Sequence, residues 1–142
     1  MLKTGCVVLS FWGVGNLLPS AWILASILLG RMNAPGLYML LTVDQARGLA
    51  PDVLASANSI GVYANGLNVA YGLLFTIAVW KGVARRVEWV FWALVASAIF
   101  ALIAGVGADY VVGWQIPMMN TVSALLLAVG FGCCAPSFLR AR

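Results

Sequence analysis

The chain has 142 residues, 63% of them hydrophobic and 8% charged, with six Trp and no His. A soluble domain carries about 25% charged residues, so eight Lys/Arg and four Asp/Glu are too few to cover a water-facing exterior. Without His there is no Ser-His-Asp or Cys-His catalysis, no imidazole metal site and no His proton shuttle.

A mean hydropathy of +1.01 instead points to an integral membrane protein. A spanning helix needs about 20 mostly apolar residues, because each residue rises ~1.5 Å through a hydrocarbon core ~30 Å thick. The runs over about 6–29, 57–80, 87–108 and 116–138 qualify, and none has Lys or Arg in its interior. They are continuously apolar, unlike the ten-residue alternating segments of a membrane barrel. The sequence therefore predicts an all-α protein: one membrane domain, a four-transmembrane-helix bundle with a structured outer loop over 30–56.

The first span carries Ser10, Gly13, Gly15, Asn16, Pro19, Ser20 and Ser26. Pro19 has no N–H for the Gly15 carbonyl, which predicts a kink or local opening near the middle of the membrane. Broken helices there are one way transporters expose backbone polar groups, with Asn16 the polar side chain to read a solute; a plain proline kink is the commoner outcome. The run is too long for a signal peptide and no clear A-x-A site follows it, so it is expected to stay in the mature protein.

In the 30–56 loop, Gly30, Asn33, Pro35 and Gly36 break the helix, and Leu37–Leu41 forms an apolar patch too short to span. Thr42-Val43-Asp44-Gln45 matches a capping box, predicting a short helix over 43–48. Pro51 suits a first helical position, with Asp52 in the first turn, so the second helix is expected to begin well before its apolar run. The loop reads as a lid over the helix ends or as a surface for a substrate or partner.

The second span places Asn58, Gly61, Asn65, Asn68, Gly72 and Thr76 within about 80° of one another on a helical wheel. Amides facing lipid would strand donors and acceptors at several kcal/mol each, so this stripe must face other helices or water. It is either interhelical glue or the lining of a small polar pocket.

The third span repeats small residues at Ala93, Ser97, Ala101 and Gly105, and the fourth at Ala124, Ala128 and Gly132. Such faces predict a compact bundle or a homo-oligomer seam. Asp109 is the carboxylate nearest the third apolar run. Within the membrane it would be a proton-exchanging group, whereas at the helix end it simply reaches water. Glu88 lies at the opposite end, beside Arg85 and Arg86. Cys6, Cys133 and Cys134 lack C-x-x-C spacing and read as small packing residues.

Basic residues mark the cytoplasmic side of a membrane protein. Lys3, Lys81, Arg85, Arg86, Arg140 and Arg142 fall on one side and only Arg31 and Arg47 on the other, which places both termini in the cytoplasm and fits a bacterial inner membrane. Trp12, Trp80, Trp89 and Trp92 then mark the inner aromatic belt, and Tyr38, Tyr110 and Trp114 the outer one. The pI near 9.3 is explained by the basic flanks, so no nucleic-acid partner is expected.

In size and four-span layout the chain resembles DoxX-like proteins and small multidrug exporters. The exporters depend on a carboxylate in their first helix, which this chain lacks, and no functional residue is carried over from either group. The reading that remains is a noncatalytic membrane protein, either an accessory or assembly partner or a binder of a lipophilic ligand. Its surroundings are the lipid bilayer and a possible second copy or membrane-protein partner; no cofactor motif is present. The alternative is a small-solute or proton-coupled carrier, with Asn16, Asn58, Asn65, Asn68, Thr76 and Asp109 as its polar contacts.

Overall fold

Unbroken apolar sequence leaves the backbone only its own groups to bond with, and the outcome is helix nearly throughout. The structure, a computed structural model, describes residues 1–33, 48–111 and 117–139, and for residues 108, 109, 111 and 117–119 the backbone alone. Helix α1 runs over Leu2–Leu28, α2 over Pro51–Lys81, α3 over Glu88–Val111 and α4 over Pro117–Cys134, followed by the single turn α5, Pro136–Leu139. Among the described residues, four helices are long and apolar enough to cross a membrane.

The helix ends follow local chemistry. Gly30, at φ 66°, takes the left-handed conformation open to a residue without Cβ, and the Arg31 N–H then reaches the Ser26 carbonyl at 2.9 Å, closing the end of α1. Helix α2 begins at Pro51 with Asp52 in its first turn, as the sequence indicates. Between α2 and α3 the chain turns through a 3-10 segment, Val83–Arg85. Arg86, at φ 59°, donates to Val83 O at 2.9 Å and Val87 to Gly82 O at 3.0 Å.

One expectation needs correction. The fourth apolar run is not one helix to 138: α4 stops at Cys134, because Pro136 has no N–H to continue the ladder, and Ala135 O restarts it by accepting from Phe138 and Leu139. Helix α1 continues through Pro19. The apolar patch 37–41 and the capping box 42–45, with Tyr38 and Trp114, lie outside the described residues.

Contacts divide the chain into two compact units, residues 1–13 with 74–142, and residues 14–73. The first unit has an aromatic core. Trp12 of α1 packs edge-on against Phe75 of α2 with centroids 4.8 Å apart, and Phe75 lies edge-on to Phe131 of α4 at 6.4 Å. Phe131 meets Phe91 of α3 at 5.8 Å, and Phe91 stacks on Phe138 of α5 at 4.4 Å. Edge-to-face and offset pairs of this kind add about 0.5–1.5 kcal/mol each beyond burial. Trp12 is only 5% exposed and so belongs to this core rather than to an aromatic belt. Trp80, Trp89, Trp92 and Tyr110 are exposed.

In the same unit α1 and α4 approach closely. A Cβ on Gly5 would lie 2.5 Å from Cys134 Sγ and 2.7 Å from the Gly130 carbonyl oxygen, and one on Gly130 would lie 2.6 Å from Leu9 Cδ2. Between α3 and α4, Ala124 and Ala128 of the expected small-residue face line a small cavity with Ala98 and Leu127, and a Cβ on Gly105 would lie 2.6 Å from Asn120 Oδ1 of α4. Ala93, Ala128 and Gly132 are exposed, and Ser97, Ala101, Gly105 and Ala124 are half-buried.

The second unit comprises the later part of α1, the first part of α2 and the described part of their connection. Its buried residues are Ser20, Ile23 and Ser26 of α1 and Gly61, Asn65 and Gly72 of α2. Their spacing of three, four and seven residues gives each helix one inward edge.

Candidate functional site

Three asparagines of α2 fall in the second unit, and each has a different use. Asn58, near the start of α2, donates from Nδ2 to Asn33 Oδ1 at 2.7 Å, tying the helix to the segment that follows α1. Asn65 donates from Nδ2 to the carbonyl of Gly61, one turn back on its own helix, at 2.8 Å. Asn68 donates from Nδ2 to Ser20 Oγ of α1 at 3.0 Å. Of these bonds only that of Asn68 joins two helices directly.

Asn65 is 0% exposed, and its Oδ1 accepts no hydrogen bond among the described residues. The bond to Gly61 fixes the amide's orientation, since a flip would set Oδ1 against the carbonyl oxygen. A buried carbonyl acceptor without a donor costs about 1–3 kcal/mol, so Asn65 is the one point in the stripe where polarity exceeds what the helix contacts use.

Asn16 and Thr76 are half-buried on α1 and α2. Asp109 lies two residues before the end of α3 by number, and its side chain is outside the described atoms. Ser10 and Ser97 bond back to their own helices, to Cys6 O at 2.8 Å and Leu94 O at 3.0 Å, which is how serine hides its hydroxyl in an apolar helix. Cys6 and Cys134 are fully buried free thiols, and Cys134 Sγ fills the narrow space left by Gly5. Among the described residues no cluster of His, Cys, Asp and Glu could hold a metal ion.

A groove lies elsewhere, at the turn between α2 and α3. It is an open groove of about 410 Å³ lined by Ala78, Lys81, Gly82, Val87, Trp89, Val90, Ala93 and Leu94. A smaller cavity of about 190 Å³ separates α3 and α4, walled by residues such as Val95, Ala98, Leu127 and Phe131. Neither lining includes a member of the asparagine stripe. Sequence reasoning missed the groove because its walls are ordinary apolar residues; the signal was Lys81 next to Gly82, where an apolar helix ends on a cation followed by a residue without Cβ.

Comparison with protein-family models, with curated proteins and with solved structures gives no match.

Proposed function

We propose that this chain is a noncatalytic integral membrane protein with four spanning helices, serving as an accessory or assembly partner or holding a lipophilic ligand within the bilayer. The supporting observation is how the polar side chains are spent. Asn58, Asn68, Ser10 and Ser97 bond to neighbouring chain, while residues such as Phe11, Trp22, Ile60, Leu74, Phe100 and Leu125 point outward. A surface of that kind is suited to lipid or to another apolar helix, because water would charge about 25 cal/mol for each Å² of it.

In this reading Lys3, the 81–86 turn and Arg140 lie on the cytoplasmic side of a bacterial plasma membrane, following the excess of basic residues there. Purification of the full chain from native membranes in a mild detergent tests the role. A stoichiometric protein partner or a retained lipophilic molecule is expected. A chain that comes away without either, and that catalyses turnover of a solute gradient in vesicles, would contradict it.

A second reading, a small-solute carrier, is favoured by one observation, the unpartnered buried Oδ1 of Asn65. A solute or water donating to that oxygen would complete its hydrogen bonding. The carrier reading requires Asn65→Leu to abolish flux in reconstituted vesicles while the helices remain folded.

A further inference from the structure

We infer that the groove at the α2–α3 turn is a binding site for an anionic phospholipid, with the phosphate on Lys81 and an acyl chain lying along Ala78, Val90, Ala93 and Leu94. The inference rests on the chain being embedded in a bilayer, as proposed above, and names the lipophilic ligand.

The groove is built by small side chains in a tight turn. Gly82 ends α2 where a Cβ would lie 2.8 Å from the Ala78 carbonyl oxygen and collide with Val90, so α3 starts directly against the end of α2. Ala78 and Ala93 line it with small side chains, beside Trp89, Val87 and Leu94. The volume of about 410 Å³ falls in the range of about 300–1,000 Å³ found for small-molecule sites. Its one charged lining residue is cationic, and its surface is otherwise apolar.

Charge complementarity selects the occupant. Lys81 lines the groove, and Arg85 and Arg86 are exposed four and five residues on, against the single carboxylate of Glu88. An apolar groove with a cationic mouth matches a molecule with an apolar tail and an anionic head. Trp89, 73% exposed, with Trp80 and Trp92, both 46% exposed, sets this mouth at the depth where aromatic rings meet headgroups. A zwitterionic lipid would satisfy the walls, but its ammonium would be repelled by the three cations. A second protein helix would leave Lys81 facing apolar surface.

The test uses the full chain in phosphatidylcholine nanodiscs doped with phosphatidylglycerol brominated along its acyl chains. The part of the fluorescence lost on Trp89→Phe substitution reports the groove. The expected result is quenching of that part at low phosphatidylglycerol content, with brominated phosphatidylcholine quenching it only at much higher content. Lys81→Gln should weaken the phosphatidylglycerol preference about fivefold, the effect of one basic residue at a membrane surface. Arg31→Gln, at the far end of α1, should leave it unchanged. Ala93→Phe fills the groove and should remove the preference; its helical circular dichroism is read alongside as the check on folding, and the wild-type comparison of the two brominated lipids stands without it.

Equal quenching by the two lipids overturns the proposal, as does a preference indifferent to Lys81→Gln and, in a folded variant, to Ala93→Phe. A co-purifying protein that protects Trp89 from both lipids also overturns it. Failure of the membrane reading itself is distinguishable: the chain would then be released from native membranes by alkaline carbonate, before any lipid preference is measured.

Discussion

Asn68 on α2 donates to the fully buried hydroxyl of Ser20 on α1 across 3.0 Å, so one member of the asparagine stripe acts as a bond between helices. Where lipid tails remove the hydrophobic drive for helix association, such a bond contributes about 0.6 kcal/mol, rising to ~1.7 kcal/mol in the strongest cases. A double-mutant cycle of Asn68→Leu and Ser20→Ala, read by unfolding in detergent, should give a coupling in that range. Zero coupling would remove Asn68 from the interface.

Asn65 should behave in the opposite sense. Replacing it with Leu discards one bond to Gly61, worth about 1 kcal/mol, and also removes an orphaned acceptor costing about 1–3 kcal/mol. The thermal midpoint of Asn65→Leu is therefore expected to stay level or rise. A fall equivalent to more than about 2 kcal/mol would mean that Oδ1 has a bound donor in the membrane, and would favour the carrier.

The stripe itself was legible, because apolar surroundings force every amide inward and helical spacing names the face. What each amide does there was not. Ser20 had no mark in the sequence distinguishing it from Ser10, since the partner of Asn68 depends on how α1 and α2 are rotated about their own axes. Trp12 shows the same limit. Hydropathy assigns a tryptophan its depth, and depth alone suggested a belt; its face, shared with Cys6 and Leu9 at three-residue steps, buries it against Phe75.

The close seam of α1 and α4 makes a steric prediction. Gly5→Ala drives a methyl into the Gly130 carbonyl oxygen and Cys134 Sγ, and backbone cannot swing aside as a side chain can. A loss of about 1–3 kcal/mol is expected. Gly66→Ala meets nothing within 4 Å and should gain up to about 1 kcal/mol from helix propensity. Chemical unfolding of the two variants side by side checks the difference in sign.

Phe91 touches Trp92, Phe131 and Phe138 and is 2% exposed. Phe91→Ala should cost about 3–5 kcal/mol, the usual range for an aromatic core truncation, and near-ultraviolet circular dichroism should lose the aromatic signal with it. Trp89→Ala, two residues earlier on the outward face, should stay within about 0.5 kcal/mol of the parent.

The central claim is that the apolar helices cross a bilayer with the basic segments on one side. Single-cysteine labelling tests it most directly, in a chain whose Cys6, Cys133 and Cys134 are replaced by Ala or Ser. Lys3→Cys, Arg85→Cys and Gly48→Cys are each exposed to a membrane-impermeant maleimide, from outside intact cells and in inverted vesicles. The account expects positions 3 and 85 to react only in inverted vesicles and position 48 only in intact cells. Reaction of positions 3 and 48 from the same side, or of all three from both, would contradict it.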